Sequence, residues 1–152
     1  MEKSPKIENR KAYHEYEIIE KLEAGLSLYG PEVKSIRQGS ANLRDSFVKI
    51  EKKEAFVYNF YIAPYQSAFE KINPRRKKKL LLHKGQIIRL ERKVQEKGLT
   101  IVPLLVYFNK NGIIKIEIAL VKGKKFFDKR QVIKEKEVKR QIERKMKGRG
   151  AK

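Results

Sequence analysis

The chain has 152 residues, of which 38 are Lys or Arg and 18 are Asp or Glu, so its formal net charge is +20 at pH 7. This length is typical of one domain, and the surplus of positive charge favours a polyanionic partner: RNA, DNA or anionic lipid. The absence of cysteine excludes disulfides, zinc knuckles and thiol chemistry.

The N-terminus and the apolar runs bear on localisation. The first residues, MEKSPKIENRK, are polar and charged and lack the apolar core of a secretory signal. The longest apolar run, residues 101–108, is far too short to cross a bilayer. We therefore expect a cytoplasmic protein that does not bind a membrane.

The first third of the chain predicts a polar arm, a strand and a short helix. Residues 1–12 are polar and predict the arm. In residues 16–28 the apolar side chains fall mainly on even positions, which is typical of a strand with one buried face, and Gly25 predicts a bend in it. Pro31 suits the first turn of a helix because its missing N–H would be unpaired there, and Gly39 ends that helix.

Two more strands and a second helix are predicted in the middle of the chain. Residues 47–50 and 55–62 are the strands, joined by a charged turn. Residues 63–79 form a long connection that ends in five consecutive cations. Residues 80–97 follow a helical pattern, with Gly98 as the C-cap.

Residues 100–108 and 113–121 predict a hairpin around the turn Asn-Lys-Asn-Gly. Both strands are apolar at most positions, so both of their faces should be covered. The predicted fold is mainly β: an antiparallel barrel like the oligonucleotide-binding (OB) fold, with two or three inserted helices.

The basic C-terminal tail has few side chains to bury. In this tail, residues 131–152, Val138, Ile142 and Met146 are spaced four apart, which gives only a narrow apolar stripe for a helix. We expect this tail to be disordered alone and ordered on a partner. The predicted organisation is an arm at residues 1–12, a barrel at residues 13–130 and the tail.

Catalysis finds little support in the sequence. The histidines are His14 and His83, and the motifs of P-loop, dinucleotide-binding, zinc protease and serine hydrolase enzymes are absent. Glu32, Asp45 and Asp128 could hold a metal, but their spacing does not require one. We predict no catalytic residue, no metal and no cofactor.

Four segments carry groups suited to RNA: residues 9–11, 32–37, 75–79 and 121–130. In the second, Lys34 and Arg37 would reach phosphates, while Glu32 would accept a hydrogen bond from a base amine or a 2′-hydroxyl. In the fourth, Phe126 and Phe127 could stack on bases or pack onto the barrel. Each segment could instead be a solvated surface.

Five stretches of the sequence carry a resemblance to a known family. They are NRKAYHEYEI at 9–18, EAGLSLYGPEVKSIRQGSANLRDSF at 23–47, RKKKLLLHKGQI at 76–87, KGLTIVPLLVYFNKNGIIKIEIALVKGKK at 97–125, and DKR at 128–130. The chain resembles the SsrA-binding protein (small protein B) family, the partner of transfer-messenger RNA in bacterial ribosome rescue. The GPEVKSIR segment and the GKK-then-DKR ending are the specific motifs.

The resemblance implies an OB-like barrel that binds the tRNA-like domain of transfer-messenger RNA. It also implies a tail that enters the empty mRNA channel of a stalled small subunit and folds there as a helix. The residues predicted to bind RNA are Asn9, Arg10, Lys11, His14, Glu32, Lys34, Arg37, Asn42, Arg75, Arg76, Lys122, Lys124 and Lys125. Those predicted to contact the ribosome near the decoding centre are Asp128, Lys129, Arg130, Lys134, Lys139, Arg140 and Arg144.

Three other interpretations remain open. A ribosomal or initiation-factor-like OB protein would bind ribosomal RNA without the dedicated RNA. A DNA-binding protein could use residues 30–45 as a helix-turn-helix and would then dimerise, whereas we expect a monomer. A nuclease would need a carboxylate cluster that binds Mg²⁺.

Overall fold

In a computed structural model of the protein, residues 5–65 and 71–123 are described. They form nine strands and three helices, and none of these helices is long and apolar enough to cross a membrane. In chain order these are β1 (Ile7–Glu8), α1 (Arg10–Glu15), β2 (Tyr16–Leu26), α2 (Gly30–Arg37), β3 (Ala41–Asn42), β4 (Phe47–Glu51), β5 (Glu54–Tyr58), β6 (Tyr61–Ile62), β7 (Lys78–Leu81), α3 (Lys84–Lys97), β8 (Thr100–Phe108) and β9 (Ile114–Gly123). The chain divides into a unit that ends at Lys122 and another that begins at Gly123.

Seven of these strands form one sheet that closes on itself. Their order is β1-β8-β4-β5-β7-β2-β9, and β8 also pairs with β9, so the six strands from β8 to β9 complete a ring. Strand β1 shares one edge of β8 with β4: Ile7 pairs with Val106, and Val48 pairs with Ile101. The predicted barrel with inserted helices is confirmed.

The hairpin predicted at residues 100–121 is also confirmed, since β8 and β9 pair along their length. In its turn the side-chain oxygen of Asn109 accepts hydrogen bonds from the backbone N–H groups of Asn111 and Ile113. Gly112 supplies the left-handed conformation that closes the turn, with a φ of 74°.

Strand β8 buries side chains on both of its faces, which explains its nearly continuous apolar sequence. Ile101 joins the main core inside the barrel, whereas Val102 packs with Ala12 of α1 on the outside. The register shifts between Pro103 and Leu105. This irregularity accommodates Pro103, which has no N–H to give to the ladder.

Helix α3 covers the main core with Leu90 and is held to β2 by charge. Glu20 accepts from Lys93 at 3.0 Å and pairs with Arg89 at 2.6 Å, and the hydrogen bonds from these two side chains lower the pKa of Glu20. The helix ends at Gly98, whose φ of 62° is left-handed. Gly98 is therefore the C-cap that the sequence predicts.

The N-terminal segment is folded further than the predicted arm implies. Residues 7–12 form β1 and the first turn of α1, and Ile7 and Ala12 are buried. Ile7 and Ala12 alone are too few to form a periodic apolar pattern, so the polar composition of this segment predicts an arm.

Two predicted elements have different bounds in the structure. The helix predicted at residues 80–97 begins at Lys84 instead, because Leu80 belongs to β7 and points inward with Lys78. The strand predicted at residues 55–62 is divided into β5 and β6 by Asn59, whose φ is 61°. The first difference arises because a strand takes the leucines that begin the helical pattern, and the second because a left-handed residue interrupts the apolar run.

Substitution by alanine should have opposite effects on stability at Gly85, within α3, and at Gly98, just after it. Gly85 lies in the first turn of the helix, and an added Cβ would meet nothing within 4 Å there, as is true at Gly98. Gly85→Ala should raise the free energy of unfolding by about 0.5 kcal/mol through helix propensity. Gly98→Ala should lower it by about 1 kcal/mol because alanine is strained at a left-handed φ. Urea titrations of both variants measure this, and shifts of the same sign would contradict the assignment of Gly98 as the cap.

Candidate nucleic-acid interface

Glu32 is a buried carboxylate at the start of α2, with 4% of its surface exposed. Its Oε1 accepts a hydrogen bond from the backbone N–H of Tyr29 at 2.9 Å and so caps the helix. Its two oxygens also accept from Arg76, Oε2 from Nε at 3.0 Å and Oε1 from Nη2 at 2.5 Å. The carboxylate predicted to accept from RNA is therefore engaged by its own helix and by Arg76.

Arg76 is held between that carboxylate and an aromatic ring. Its guanidinium carbon lies 4.4 Å from the centroid of Tyr29, a side chain that is 58% exposed. The paired, planar contact with Glu32 fixes the plane of the guanidinium. An oriented cation beside an exposed ring can bind a phosphate and stack a base next to it.

A polar recess of about 520 Å³ lies where the segments around β3, β6 and Arg75 meet. It is lined by Asn42, Arg44, Asp45, Asn59, Tyr61 and Arg75. The Nη1 of Arg75 donates to Oδ1 of Asn59 at 2.7 Å, and the guanidinium lies 5.1 Å from the Tyr61 centroid. Two arginines with two amides and one carboxylate can bind a phosphate together with the polar edge of a base.

Two residues of this recess have left-handed backbone conformations. Asp45 has a φ of 60° and Asn59 a φ of 61°. Short polar side chains tolerate this conformation best among non-glycine residues. The Nδ2 of Asn59 also donates to the backbone carbonyl of Asp45 at 3.2 Å, so the two bends are tied together.

Lys11 joins the recess through Asp45. Its Nζ lies 2.7 Å from Oδ1 of Asp45. This hydrogen bond raises the pKa of Lys11 and lowers the pKa of Asp45. Both groups are therefore charged at neutral pH, and helix α1 brings a third cation to the edge of the recess.

Asn9 has a structural role that the sequence prediction did not include. It is buried, its Nδ2 donates to the carbonyl of Pro103 at 2.8 Å, and its Oδ1 accepts from the N–H of Ala12 at 3.3 Å. It thereby caps α1 and holds it against β8. Through this cap Asn9 positions Lys11.

The exposed cations of α2 contact rings outside the recess. The Nζ of Lys34 lies 5.3 Å from the Tyr65 centroid, and the guanidinium of Arg37 lies 4.5 Å from that of Phe108. Arg37 also approaches the carbonyl of Gly112 at 3.4 Å. Arg37 is thus directed towards the β8–β9 turn.

Three predicted residues are exposed outside this network. Arg10 lies 3.7 Å from Glu8, His14 is in the last turn of α1, and Lys122 is near the end of β9. The other predicted residues lie outside the described part of the chain: Lys124, Lys125, Asp128, Lys129, Arg130, Lys134, Lys139, Arg140 and Arg144. Of the predicted cations and amides, the structure therefore brings Lys11, Asn42 and Arg75 to the recess, whereas Arg76 lies with Glu32 and Tyr29.

Comparison with known proteins identifies the family. The family model described as SmpB protein matches residues 6–148. This chain belongs to the SmpB family. An SsrA-binding protein of Persephonella marina is 60% identical over 141 residues, which cover 92% of each chain, and that of Aquifex aeolicus is 54% identical over 97% of this chain and 98% of its own.

A solved structure of the SmpB family matches as well. It is described as "tmRNA-SmpB: a journey to the center of the bacterial ribosome", and one of its chains is 50% identical with a TM-score of 0.67. The match covers 80% of this chain and 86% of that one. The resemblance inferred from the sequence motifs is confirmed.

Sequence reasoning did not single out Tyr29, Arg44, Asn59, Tyr61 or Lys78 at the candidate site of this SmpB-family chain. Arg44 lies within a stretch that carries the family resemblance, and Asn59 interrupts the apolar alternation of its strand. Lys78 belongs to the segment at residues 75–79, for which the sequence offers phosphate contacts or a solvated loop, yet Lys78 is fully buried. Its spacing of two from Leu80 is the signal for an inward position.

Within residues 5–65 and 71–123, no group of three histidines or carboxylates could hold a metal ion. The carboxylates at the site have cationic partners, as Glu32 has in Arg76 and Asp45 has in Lys11. These two carboxylates therefore hold the cationic side chains of Arg76 and Lys11 in place.

Glu32→Gln tests how far the site depends on its buried ion pair. The amide cannot match both guanidinium contacts, so the free energy of unfolding should fall by about 2 kcal/mol. The matched control is Glu54→Gln, which removes an exposed contact with Lys79 at 3.7 Å and should change it by less than about 0.5 kcal/mol. Equal effects of the two variants in urea titrations would show that Arg76 is not held by Glu32.

Proposed function

We propose that this protein binds the tRNA-like domain of transfer-messenger RNA and delivers that RNA to stalled ribosomes for trans-translation. The observation that carries the proposal is the family membership, since relatives of 54–60% identity are SsrA-binding proteins and the matching solved structure is of tmRNA and SmpB on the ribosome. Such a protein works in the cytoplasm, as a binding protein without a reaction of its own.

The geometry of the barrel supports recognition of folded RNA. Arg44, Arg75 and Arg76 lie on adjoining segments with Tyr29 and Tyr61 beside them. Cations there would contact phosphates and release counterions. The rings and amides would contact unpaired bases, which RNA loops present and regular duplexes do not.

The tail would act on the ribosome. From residue 121 to the end the chain has 14 Lys or Arg against four Asp or Glu, a net +10. We assign to residues 131–152 the sensing of an mRNA channel that no message occupies, because a segment that orders on binding needs a free path. Contacts of its cations with ribosomal RNA would offset the cost of ordering. Asp128, Lys129 and Arg130 would lie near the decoding centre.

Binding to the isolated tRNA-like domain is the first test. The full chain should prefer this transcript over ordinary tRNA and over duplex DNA in filter binding, and the preference should survive about 150 mM salt. Arg75→Gln should weaken binding about tenfold and reduce the salt slope by about one. Arg92→Gln is the matched control, since it removes the same charge from the exposed surface of α3. Equal binding of all three nucleic acids would refute the proposed function.

Truncation separates the two parts of the mechanism. Deleting residues 131–152 should leave affinity for the tRNA-like domain within about twofold, since that domain is assigned to the barrel. It should abolish tagging of chains on stalled ribosomes in a reconstituted translation system. Equal loss of RNA affinity and of tagging would contradict the two-part model, and a protein that binds ribosomes without the RNA would fit the ribosomal-protein alternative.

A further inference from the structure

Lys78 is the one fully buried lysine among the described residues, and it is on the inward face of β7. Its Nζ donates to three backbone carbonyls: that of Phe60 at 2.5 Å, that of Arg76 at 3.0 Å and that of Pro74 at 3.2 Å. An ammonium group has three protons, so its donor capacity is matched by these acceptors.

The three carbonyls belong to the two segments that meet at the recess. Phe60 lies between Asn59 and Tyr61, and Pro74 and Arg76 are the neighbours of Arg75 on either side. Arg75 in turn donates to Asn59 and lies over the ring of Tyr61. One side chain therefore holds the backbone on both sides of the contact between Arg75 and the segment at residues 59–61.

Burial of this ammonium has a cost. Burial lowers the pKa of Lys78 to about 8. The nearby carboxylate of Glu32 opposes this lowering, whereas the positive charges of Arg76 and Arg75 add to it. An apolar side chain at the same position would avoid that cost, but the carbonyls of Phe60 and Arg76 would lose the ammonium donor. The carbonyl of Pro74 would keep the N–H of Ile62, which donates to it at 3.0 Å. The residue thus determines a particular backbone arrangement more than it adds general stability.

We infer that Lys78 is a positioning residue for RNA binding, whose buried ammonium holds the backbone at residues 60, 74 and 76 so that Arg75 and Arg76 are presented to RNA. The inference rests on the proposed function and adds a determinant that does not touch the RNA. It predicts that loss of Lys78 lowers affinity by displacing the arginines.

The chain offers a matched control at the next residue. Lys79 is on the opposite face of β7, is exposed and pairs with Glu54 at 3.7 Å. Lys78→Met and Lys79→Met remove the same charge from adjacent positions. Lys78→Met should weaken binding of the tRNA-like domain about tenfold, and Lys79→Met about twofold or less.

A double-mutant cycle with Arg75→Gln separates positioning from a general loss of stability. If Lys78 acts through Arg75, the double variant should bind little more weakly than Lys78→Met alone. Independent effects would multiply to about a hundredfold loss. Each variant is first characterised by thermal unfolding, and binding is then compared at a temperature where all are folded.

Coupling between the two substitutions supports the inference, whereas multiplied losses, or wild-type affinity in Lys78→Met, overturn it. If Lys78→Met does not fold, Lys78→Gln takes its place in the same cycle, since its amide still donates two hydrogen bonds. A different result would refute the proposed function: a wild-type chain that shows no preference for the tRNA-like domain. The cycle compares variants of one chain on one RNA and does not depend on that preference.

Discussion

Closure of the sheet through β8 constrains the rest of the structure. Strand β9 occupies one edge of β8, while β4 and β1 share the other. Side chains cover both faces, with Ile101 inside and Val102 outside. A strand in this position must be apolar throughout and must pair along its length. In the described part of the connection from β5 to β7, strand β6 pairs with β3 in a separate two-stranded sheet.

That connection has to find hydrogen-bond partners without a full set of neighbouring strands. Buried backbone groups rarely remain unpaired, and here side chains supply many of the partners. Ser35 donates to the carbonyl of Ala63 at 2.6 Å, Asn73 accepts from the N–H of Arg75 at 2.9 Å, and Lys78 donates to three carbonyls. The residues that satisfy this backbone also determine where the arginines of the recess lie. Stability of the loop is therefore linked, through the same hydrogen bonds, to the positions of the arginines that are proposed to contact RNA.

The regular elements could be predicted from sequence because their signals are local. The hairpin at residues 100–121 has strong β propensity on both sides of an Asn-Gly turn, and Gly98 follows a helical pattern. The site was predicted only in part. Its exposed cations follow from composition and family resemblance, but Arg76 lies 44 residues from its partner Glu32, and Phe60 lies 18 residues from Lys78. Only the closed barrel brings such pairs together, and no pattern in a short window contains them.

Strand β1 has only two residues, yet its place beside β8 affects how the molecule behaves among its own copies. A sheet edge with free N–H and C=O groups is a template on which another chain can add a strand. Strand β4 pairs with β8 near Ile101, and β1 continues the coverage at Leu105 and Val106. With Asn9 holding α1 beside it, this short strand covers part of the edge of a long apolar strand of the barrel. The N-terminal segment thus occupies a sheet edge that would otherwise offer free N–H and C=O groups to a second copy of the chain.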